Sequence, residues 1–320
     1  MRAIVIDQPG GPDVLHIGEV PSPRLEANEI RIEVHATAVN RADLLQREGH
    51  YPPPAGASPI LGLECAGIVT EAGSGAIGRS RGQRVMALLA GGGYAEEVVV
   101  DAGSAMHLPE TLAFEQAGAI PEVFLTAFSN IFMLARARSG ESILVHGGGS
   151  GVGTAATTLC KLAGMRVLVT AGSPQTCAKC LEHGADVAIN YRQEDFVEKA
   201  RGVDIVLDHL GAMYLTRDLE ALAVGGRVVI IGSMGGIRTT ELDVSKLLGE
   251  RQQIIGSTLR ARPLAEKAAI AAAFIDRFGN DLAAGRIRPV IDSVFPLERA
   301  DDAHRHMDSD HFGKIVLKVR

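Results

Sequence analysis

The chain has 320 residues, a formal net charge of -6 and 46% hydrophobic residues, which is enough for about two folded domains. This composition excludes a disordered or collagen-like chain, and the acidic balance offers no basic face to nucleic acid or to an anionic membrane. Its first residues contain no long apolar run, and no segment approaches the ~20 apolar residues that span a bilayer. We therefore expect a cytoplasmic protein without a nucleic-acid or membrane partner.

The first 121 residues predict a β-rich domain. Short apolar runs, such as residues 30–39 and 65–73, alternate there with glycine and proline clusters, as in a mostly antiparallel, barrel-like sheet. From about residue 122, strand-like runs at 143–146, 166–170 and 187–190 alternate with helical segments. Such alternation is typical of a parallel, doubly wound α/β sheet. Residues 263–284 then predict one long helix, followed by strands at 290–297 and 314–319.

A glycine-rich segment, Gly147–Gly153, lies between the predicted strand at 143–146 and a predicted helix over 151–162. A diphosphate needs backbone N–H groups directed at it and no Cβ in the way, and a helix N-terminus supplies both the donors and a favourable dipole. Ser150 takes the place of the middle glycine, while Gly148, Gly151 and Gly153 remain. The strand before the loop and the helix after it favour dinucleotide binding over a plain turn.

The next strand, at 166–170, runs into Ala171, Gly172 and Ser173. Folds that bind NAD carry a carboxylate about 20 residues past the glycines, where it holds the ribose 2′-hydroxyl. No carboxylate stands at the end of this strand, and Ser173, with Lys179 or Arg192, could donate to a 2′-phosphate. The sequence therefore predicts a preference for NADP(H).

Four cysteines are too few for a disulfide framework in a chain of this length. Cys177 and Cys180 form a C-x-x-C pair within a predicted helix from Pro174 to Gly184, without a second pair to complete a zinc site, so we interpret them as packed thiols. Histidines two apart on a helix point to different faces. We therefore interpret a C-terminal group as a solvated surface and not as a metal site: Asp301, Asp302, His304, His306, Asp308, Asp310 and His311.

Several motifs in the same order resemble the zinc-independent quinone oxidoreductases of the medium-chain dehydrogenase/reductase superfamily, which include zeta-crystallin. They are VNRADLLQREGHYPPP, LGLECAGIV, HGGGSGVGTAA, TAGS, GADVAINYR, GSTLRAR and GKIVL. TAGS and GSTLRAR are most similar to the tumour-suppressor-inducible branch. The resemblance implies a GroES-like catalytic domain at 1–121 and 265–320, a Rossmann domain at 122–264, NADPH as the cofactor, and a homodimer formed near 228–258.

The resemblance also implies site residues. Tyr51 and Asn40 are expected at the acceptor, and Asn40 also near the nicotinamide. The expected cofactor contacts are Thr126, Gly148, Ser150, Gly151, Val152, Gly153, Ser173, Lys179, Tyr191, Leu210, Gly211, Gly232, Leu259 and Lys314. Thr176 stands where many relatives have lysine. Zinc-using relatives have a cysteine in place of Asn40 and a histidine in place of Leu63, so no metal is expected.

Structural roles compete with several of these assignments. Tyr51 could cap a rigid turn, and Asn40 could bond the backbone of its own turn. His146 and His209 border cofactor loops, but a histidine that closes a buried strand more often satisfies backbone partners. Arg260 and Arg262 could reach the cofactor or lie on the surface.

The expected reaction is hydride transfer from NADPH to a quinone or a similar electron-poor acceptor, which needs positioning more than a Lewis acid. The leading competitor is an NADPH-dependent reductase of enones or enoyl thioesters on the same scaffold. A non-catalytic NADPH-binding structural protein is the competitor from another class.

Overall fold

A computed structural model describes residues 1–240 and 242–320. The chain forms two compact units, the first built from Met1–Leu125 and Leu259–Arg320 and the second from Thr126–Thr258. The domain boundaries expected from the sequence, after residues 121 and 264, stay a prediction. In the described part of the chain, no helix has the length and apolar character needed to cross a membrane.

The elements are numbered in chain order. The strands are β1 Arg2–Val5, β2 His16–Glu19, β3 Glu29–Val39, β4 Glu64–Ala72, β5 Arg84–Leu88, β6 Glu97–Asp101, β7 Ala105–His107, β8 Ser142–Val145, β9 Arg166–Ala171, β10 Val187–Asn190, β11 Val203–Asp208, β12 Leu222–Ile230, β13 Gln253–Gly256, β14 Ile291–Pro296 and β15 Lys314–Lys318. The helices are α1 Arg41–Arg47, α2 Phe114–Ala117, α3 Pro121–Phe128, α4 Gly151–Leu162, α5 Pro174–Glu182, α6 Phe196–Lys199, α7 Leu215–Ala221, α8 Val244–Gly249, α9 Leu264–Ala283 and α10 Ala300–Met307.

The first unit is built on a sheet with the strand order β14-β15-β3-β4-β5-β7, in which β6 also pairs with β3. All of these pairs are antiparallel except β14 with β15. Along β3, Ile30, Ile32 and Val34 are buried in alternation with more exposed residues, which is the period of a strand with one face on the core. The predicted β-rich, mostly antiparallel fold is confirmed.

The second unit holds a sheet with the order β10-β9-β8-β11-β12-β13, and every neighbouring pair is parallel. The strand order reverses between β8 and β11, and ligands of such sheets bind at the carboxyl ends of the strands at this reversal. The predicted doubly wound sheet is confirmed, as are the helix at 151–162 and the long helix, which the structure places at Leu264–Ala283.

Candidate nucleotide-binding loop and buried polar cluster

The glycine-rich segment forms the turn between β8 and α4. Ser150 is the N-cap of α4, and its Oγ accepts a hydrogen bond from the Gly153 N–H at 3.0 Å. The first N–H groups of a helix have no acceptor within the helix, so those of Gly151 and Val152 are the ones that an anion at this end can use. Ser150, the departure from the glycine pattern, therefore stabilises the loop that presents the anion site.

Three glycines of this loop lie where a side chain would not fit. Gly147 has a φ of +65°, which favours glycine. A Cβ on Gly148 would lie 2.5 Å from Val169 Cβ, and one on Gly153 would lie 2.3 Å from the carbonyl oxygen of Gly147. The glycines therefore permit the helix to start close against the strand, which is the role of the third glycine in dinucleotide-binding turns.

The end of β9 leads into the predicted adenosine end of the site. Ser173 caps α5, and its Oγ accepts the Thr176 N–H at 3.1 Å while lying 2.9 Å from the Thr176 hydroxyl. A Cβ on Gly172 would lie 2.9 Å from the Tyr191 hydroxyl. The structure therefore brings Ser173 and Tyr191 to one place, and Lys179 lies exposed on the same helix α5.

The loops that follow β11 and β12 bring together other predicted contacts. Gly211 has a φ of +75°, and a Cβ there would lie 3.1 Å from the Gly232 carbonyl oxygen. Buried Asp208 accepts the N–H groups of Leu210, at 2.6 Å, and Gly211, at 2.8 Å. Burial and the neighbouring Asp218 raise the pKa of Asp208 to about 6.

His146, at the end of β8, is fully buried with side-chain partners. Its Nε2 lies 2.8 Å from Asp218 Oδ1 and its Nδ1 lies 3.1 Å from Thr170 Oγ1. The expectation of backbone partners was therefore wrong, because α7 carries a carboxylate to the end of this strand. His209 lies beside the loop, since a Cβ on Gly147 would meet its ring at 2.6 Å.

In the first unit, Asn40, Glu64 and Lys314 form a buried polar cluster. Lys314 Nζ donates to the Val39 carbonyl at 3.0 Å, to Asn40 Oδ1 at 2.6 Å and to Glu64 Oε1 at 2.8 Å. Asn40 Nδ2 donates to the same Glu64 oxygen at 2.9 Å. Each N–H of the ammonium group has an acceptor, as a buried charge requires.

The contacts of Asn40 test the alternative that it bonds the backbone of its own turn. Its contact with the backbone of its own turn, Nδ2 to the Ala38 carbonyl, is 3.3 Å long, whereas its bonds to Glu64 and Lys314 are shorter. Strands β3, β4 and β15, which are neighbours in the sheet, bring the three side chains together. Asn40 is therefore held mainly by the buried polar cluster, and a role toward the cofactor stays a prediction.

Two further acidic residues border the buried polar cluster. Asp43, fully buried on α1, accepts the N–H groups of Asn40 at 2.8 Å and Gly62 at 2.9 Å, and burial raises its pKa to about 6. Glu64 Oε2 accepts the backbone N–H of Glu122 at 2.9 Å. Sequence reasoning missed both acids, although Glu122 had a signal as the one charged residue in the apolar run 119–128.

Tyr51 lies beside an arginine. The guanidinium of Arg260 is 5.3 Å from the centre of the Tyr51 ring, and it donates to the Ala90 carbonyl at 2.9 Å and to Gln46 Oε1 at 2.5 Å. Arg260 is buried, so the alternative of a surface charge is wrong for it, and a contact with the cofactor stays a prediction. Burial raises the pKa of Tyr51, while the positive charge of Arg260 opposes that change.

Leu259 is buried in the first unit, and Thr126 opens the second unit, where its carbonyl accepts from Asn130 Nδ2 at 2.7 Å. Lys314 is committed to the buried polar cluster, so a direct contact with the cofactor would require it to exchange one of its three acceptors. The cofactor roles of these residues stay predictions.

The C-terminal histidine group is only partly a solvated surface. His306 is partly exposed and pairs with Asp292 at 2.7 Å, but His304 is fully buried, 3.2 Å from Arg47 Nη1 and 3.1 Å from the Tyr94 hydroxyl. The expectation was wrong for His304 because one face of α10 packs on the core of the first unit.

No group of three or more His, Cys, Asp or Glu side chains that could hold a metal ion occurs within residues 1–240 and 242–320. Cys177 and Cys180 are free, buried thiols, and burial raises the pKa of both. That the protein works without zinc stays a prediction.

Comparisons with known proteins agree with this architecture. A family model described as the alcohol dehydrogenase GroES-like domain matches residues 26–110, and one described as zinc-binding dehydrogenase matches residues 183–317. A quinone oxidoreductase from Rattus norvegicus is 34% identical over 99% of this chain and 97% of its own length. The chain belongs to the quinone oxidoreductase family.

Solved structures of family members and relatives cover the whole chain. An NAD-dependent alcohol dehydrogenase matches with a TM-score of 0.86 and 32% identity, and covers 100% of both chains. The Escherichia coli quinone oxidoreductase complexed with NADPH matches with a TM-score of 0.85 and 29% identity, again over 100% of both chains. The CurK enoyl reductase matches with a TM-score of 0.85 and 26% identity, over 100% of this chain and 99% of its own. The two units therefore have the GroES-like and Rossmann folds of this family.

Proposed function

We propose that this protein is an oxidoreductase that transfers a hydride from NADPH to a quinone or a similar electron-poor acceptor, without zinc. The observation that carries the proposal is the glycine loop, in which the first N–H groups of α4 can bind a diphosphate and the glycines let the helix begin close against its strand. Membership of the quinone oxidoreductase family supports the same reaction. We assign residues 1–121 and 265–320 to the catalytic domain and 122–264 to the nucleotide-binding domain.

The nucleotide-binding half of the proposal rests on the second unit. NADPH, when bound, supplies a hydride, which is one hydrogen with two electrons. The amides of Gly151 and Val152 hold the diphosphate, while Ser173 and Tyr191, with Lys179 nearby on α5, hold the 2′-phosphate. No carboxylate ends β9, so nothing at this position repels a second phosphate.

The acceptor half rests on the first unit. The Tyr51 hydroxyl and the Asn40 amide orient the acceptor oxygen that gains negative charge during hydride transfer. Lys314 Nζ donates to Asn40 Oδ1 and so holds the Asn40 amide in one orientation. Positioning of this kind lowers the barrier without a metal, because a quinone is already electron-poor.

The experiment is a steady-state comparison of kcat/KM for NADPH and NADH with 1,2-naphthoquinone. We expect a preference for NADPH in the native protein and a preference for NADH in Ser173→Asp, since aspartate still caps α5 but repels the 2′-phosphate. Ser173→Asn is the matched control, because asparagine caps equally well and adds no charge. Equal kcat/KM values for the two nucleotides in the native protein would contradict the assignment of NADPH.

Reduction of an enone or an enoyl thioester is the second candidate, because the CurK enoyl reductase has the same fold over the whole chain. Both reactions use the same hydride donor, and they differ in the acceptor. Parallel assays with 1,2-naphthoquinone, an enone and an enoyl thioester separate them through the ratio of kcat/KM values. A non-catalytic nucleotide-binding protein would oxidise NADPH with none of the three.

We also propose a cytoplasmic homodimer. Strand β13 is an edge of the sheet in the second unit, and exposed apolar side chains, including Val244, Leu248 and Ile254, lie on or near it. An unpaired strand edge beside apolar side chains suits pairing with a second copy. The free thiols of Cys65, Cys177 and Cys180 fit a reducing compartment.

A further inference from the structure

Glu122 stands at the start of α3 with an unusual carboxyl group. The residue as a whole is partly exposed, but its Oε2 atom is buried and has no hydrogen-bond partner among the residues that the structure describes. Its backbone N–H, in contrast, is bonded to Glu64. Buried polar atoms are nearly always paired, so an orphaned carboxyl oxygen calls for a functional explanation.

Charged groups from several elements act electrostatically on this carboxyl. Glu64 on β4 and Asp43 on α1 raise the energy of a negative charge there, while Lys314 on β15 and Lys267 on α9 lower it. Arg260 and Tyr51 are also within electrostatic reach of Glu122. Lys314 Nζ is 2.8 Å from Glu64 Oε1, and the negative charge of Glu64 therefore cancels most of the effect of the Lys314 charge on Glu122.

Burial is the largest influence on this acid. It raises the pKa of Glu122 to about 8, and the repulsion from Glu64 adds to the effect, against the opposing pull of Lys314 and Lys267. At neutral pH the Glu122 carboxyl therefore holds a proton. A neutral carboxylic acid with an unpartnered oxygen can donate that proton to an acceptor oxygen placed next to it.

We propose that Glu122 is the acid that gives a proton to the acceptor oxygen during the reduction. This inference rests on the proposed function. A quinone that receives a hydride and one proton becomes a hydroquinone, while NADPH becomes NADP⁺. The O–H bond of Glu122 breaks as the new O–H bond of the hydroquinone forms, and the resulting carboxylate regains its proton from water.

The first test needs neither cofactor nor acceptor. Infrared spectra of the protein alone, recorded as the pH is varied, should contain the C=O stretch of a protonated carboxylic acid, which disappears with a midpoint near pH 8. Glu122→Gln should lack this band, while Glu115→Gln, a matched change at an acid paired with Lys318, should retain it. The band persisting unchanged in Glu122→Gln would overturn the proposal.

The second test is the pH profile of kcat with NADPH and 1,2-naphthoquinone. We expect activity of the native protein to fall above about pH 8, as the acid loses its proton. Glu122→Gln should lower kcat at pH 7 by about 100-fold, the low end of general acid catalysis, and remove that alkaline limb. NADPH binding, measured by calorimetry, should stay within twofold, because no cofactor contact is assigned to Glu122.

A second variant keeps the proposal testable if Glu122→Gln fails to fold. The positive charge of Lys267, a residue only 3% exposed, lowers the pKa of Glu122, so Lys267→Met should move both the infrared midpoint and the alkaline limb to higher pH. If the Lys267→Met protein folds and both the infrared midpoint and the alkaline limb stay where they are in the native protein, the assignment is contradicted.

The outcomes separate this inference from the proposed function. If the native protein does not oxidise NADPH with any of the acceptors, the proposed function fails. If the native protein is active but Glu122→Gln keeps its kcat and its alkaline limb, the proposed function stands and the role of Glu122 is overturned.

Discussion

The contribution of Lys314 to stability depends on its buried partner Glu64. Its ammonium group and the Glu64 carboxylate are both buried, with 3% and 0% of their side chains exposed. The free energy needed to remove two charges from water offsets most of their mutual attraction. The pair therefore contributes little net stability compared with apolar residues of the same size. Breaking it is different, because the remaining charge then lacks its partner.

We therefore expect Lys314→Met to lower the free energy of unfolding by about 3–5 kcal/mol, as for other broken buried pairs. The double variant Glu64→Met/Lys314→Met should lose less than the sum of the two single changes, since no uncompensated charge remains. Urea denaturation of the three variants measures both quantities. Strictly additive losses would mean that the two residues do not depend on each other.

The buried His304 should make the free energy of unfolding depend on pH. Arg47 only donates, so the Nδ1 atom of His304 accepts from it, and the Nε2–H donates to Tyr94. Burial and the nearby charge of Arg47 lower the pKa of His304 to about 3. Below about pH 6.5 the unfolded chain gains a proton at this histidine that the folded protein does not, so acid favours unfolding.

The expected result is a loss of stability as the pH falls from about 6.5 toward 3, with this histidine contributing at most roughly 5 kcal/mol. His304→Gln should flatten this dependence. Asp43, Asp208 and Glu122 have raised pKa values and act in the opposite direction, since they bind protons more tightly when folded. The difference between the two proteins in urea titrations at several pH values isolates the histidine, and identical slopes would contradict its role.

At the scale of elements, the glycine loop and α4 were predictable because their signals are local. An apolar strand, a glycine turn and an N-cap serine lie within about a dozen consecutive residues, and the structure has the helix at Gly151–Leu162 as predicted. The sequence does not predict how closely Gly153 approaches Gly147. This distance depends on how tightly the helix packs on its strand.

This close approach predicts a large effect of a single methyl group. Gly153→Ala places a Cβ 2.3 Å from the Gly147 carbonyl oxygen, so the loop must shift, and we expect NADPH affinity to fall at least 10-fold in calorimetry. Gly249→Ala on α8 is the control, because a Cβ there meets nothing within 4 Å. It should leave NADPH affinity unchanged, and an equal loss in both variants would count against the loop as the binding site.

At the scale of the whole molecule, the sequence predicted both folds but not the buried polar cluster. Asn40, Glu64 and Lys314 are far apart in the chain, and only the neighbouring positions of β3, β4 and β15 bring them together. Glu122 was missed for the same reason, since its significance depends on Glu64, Lys267 and burial. His304 was assigned to a solvated surface because the residues around it are polar, although one face of its helix is buried.

The edge strand β13 predicts the oligomeric state. Leu248 is 73% exposed on α8, and if this region pairs with a second copy, Leu248→Glu should weaken the dimer at least 10-fold in sedimentation experiments. Ile77→Glu is the control, since Ile77 is 94% exposed in the first unit. A monomeric native protein, or equal weakening by both changes, would argue against an interface at this edge.

The burial of the cysteine thiols affects how this protein withstands its own substrates. Quinones arylate nucleophilic sulfur, and the nucleophile is the thiolate, not the thiol. All four cysteines are buried, and burial raises the pKa of Cys65 strongly and that of Cys180 to about 12. A catalyst that meets such electrophiles at every turnover thus keeps its four cysteines buried, with raised pKa values for Cys65, Cys177 and Cys180. It should retain its full mass, without adducts, after prolonged incubation with 1,2-naphthoquinone.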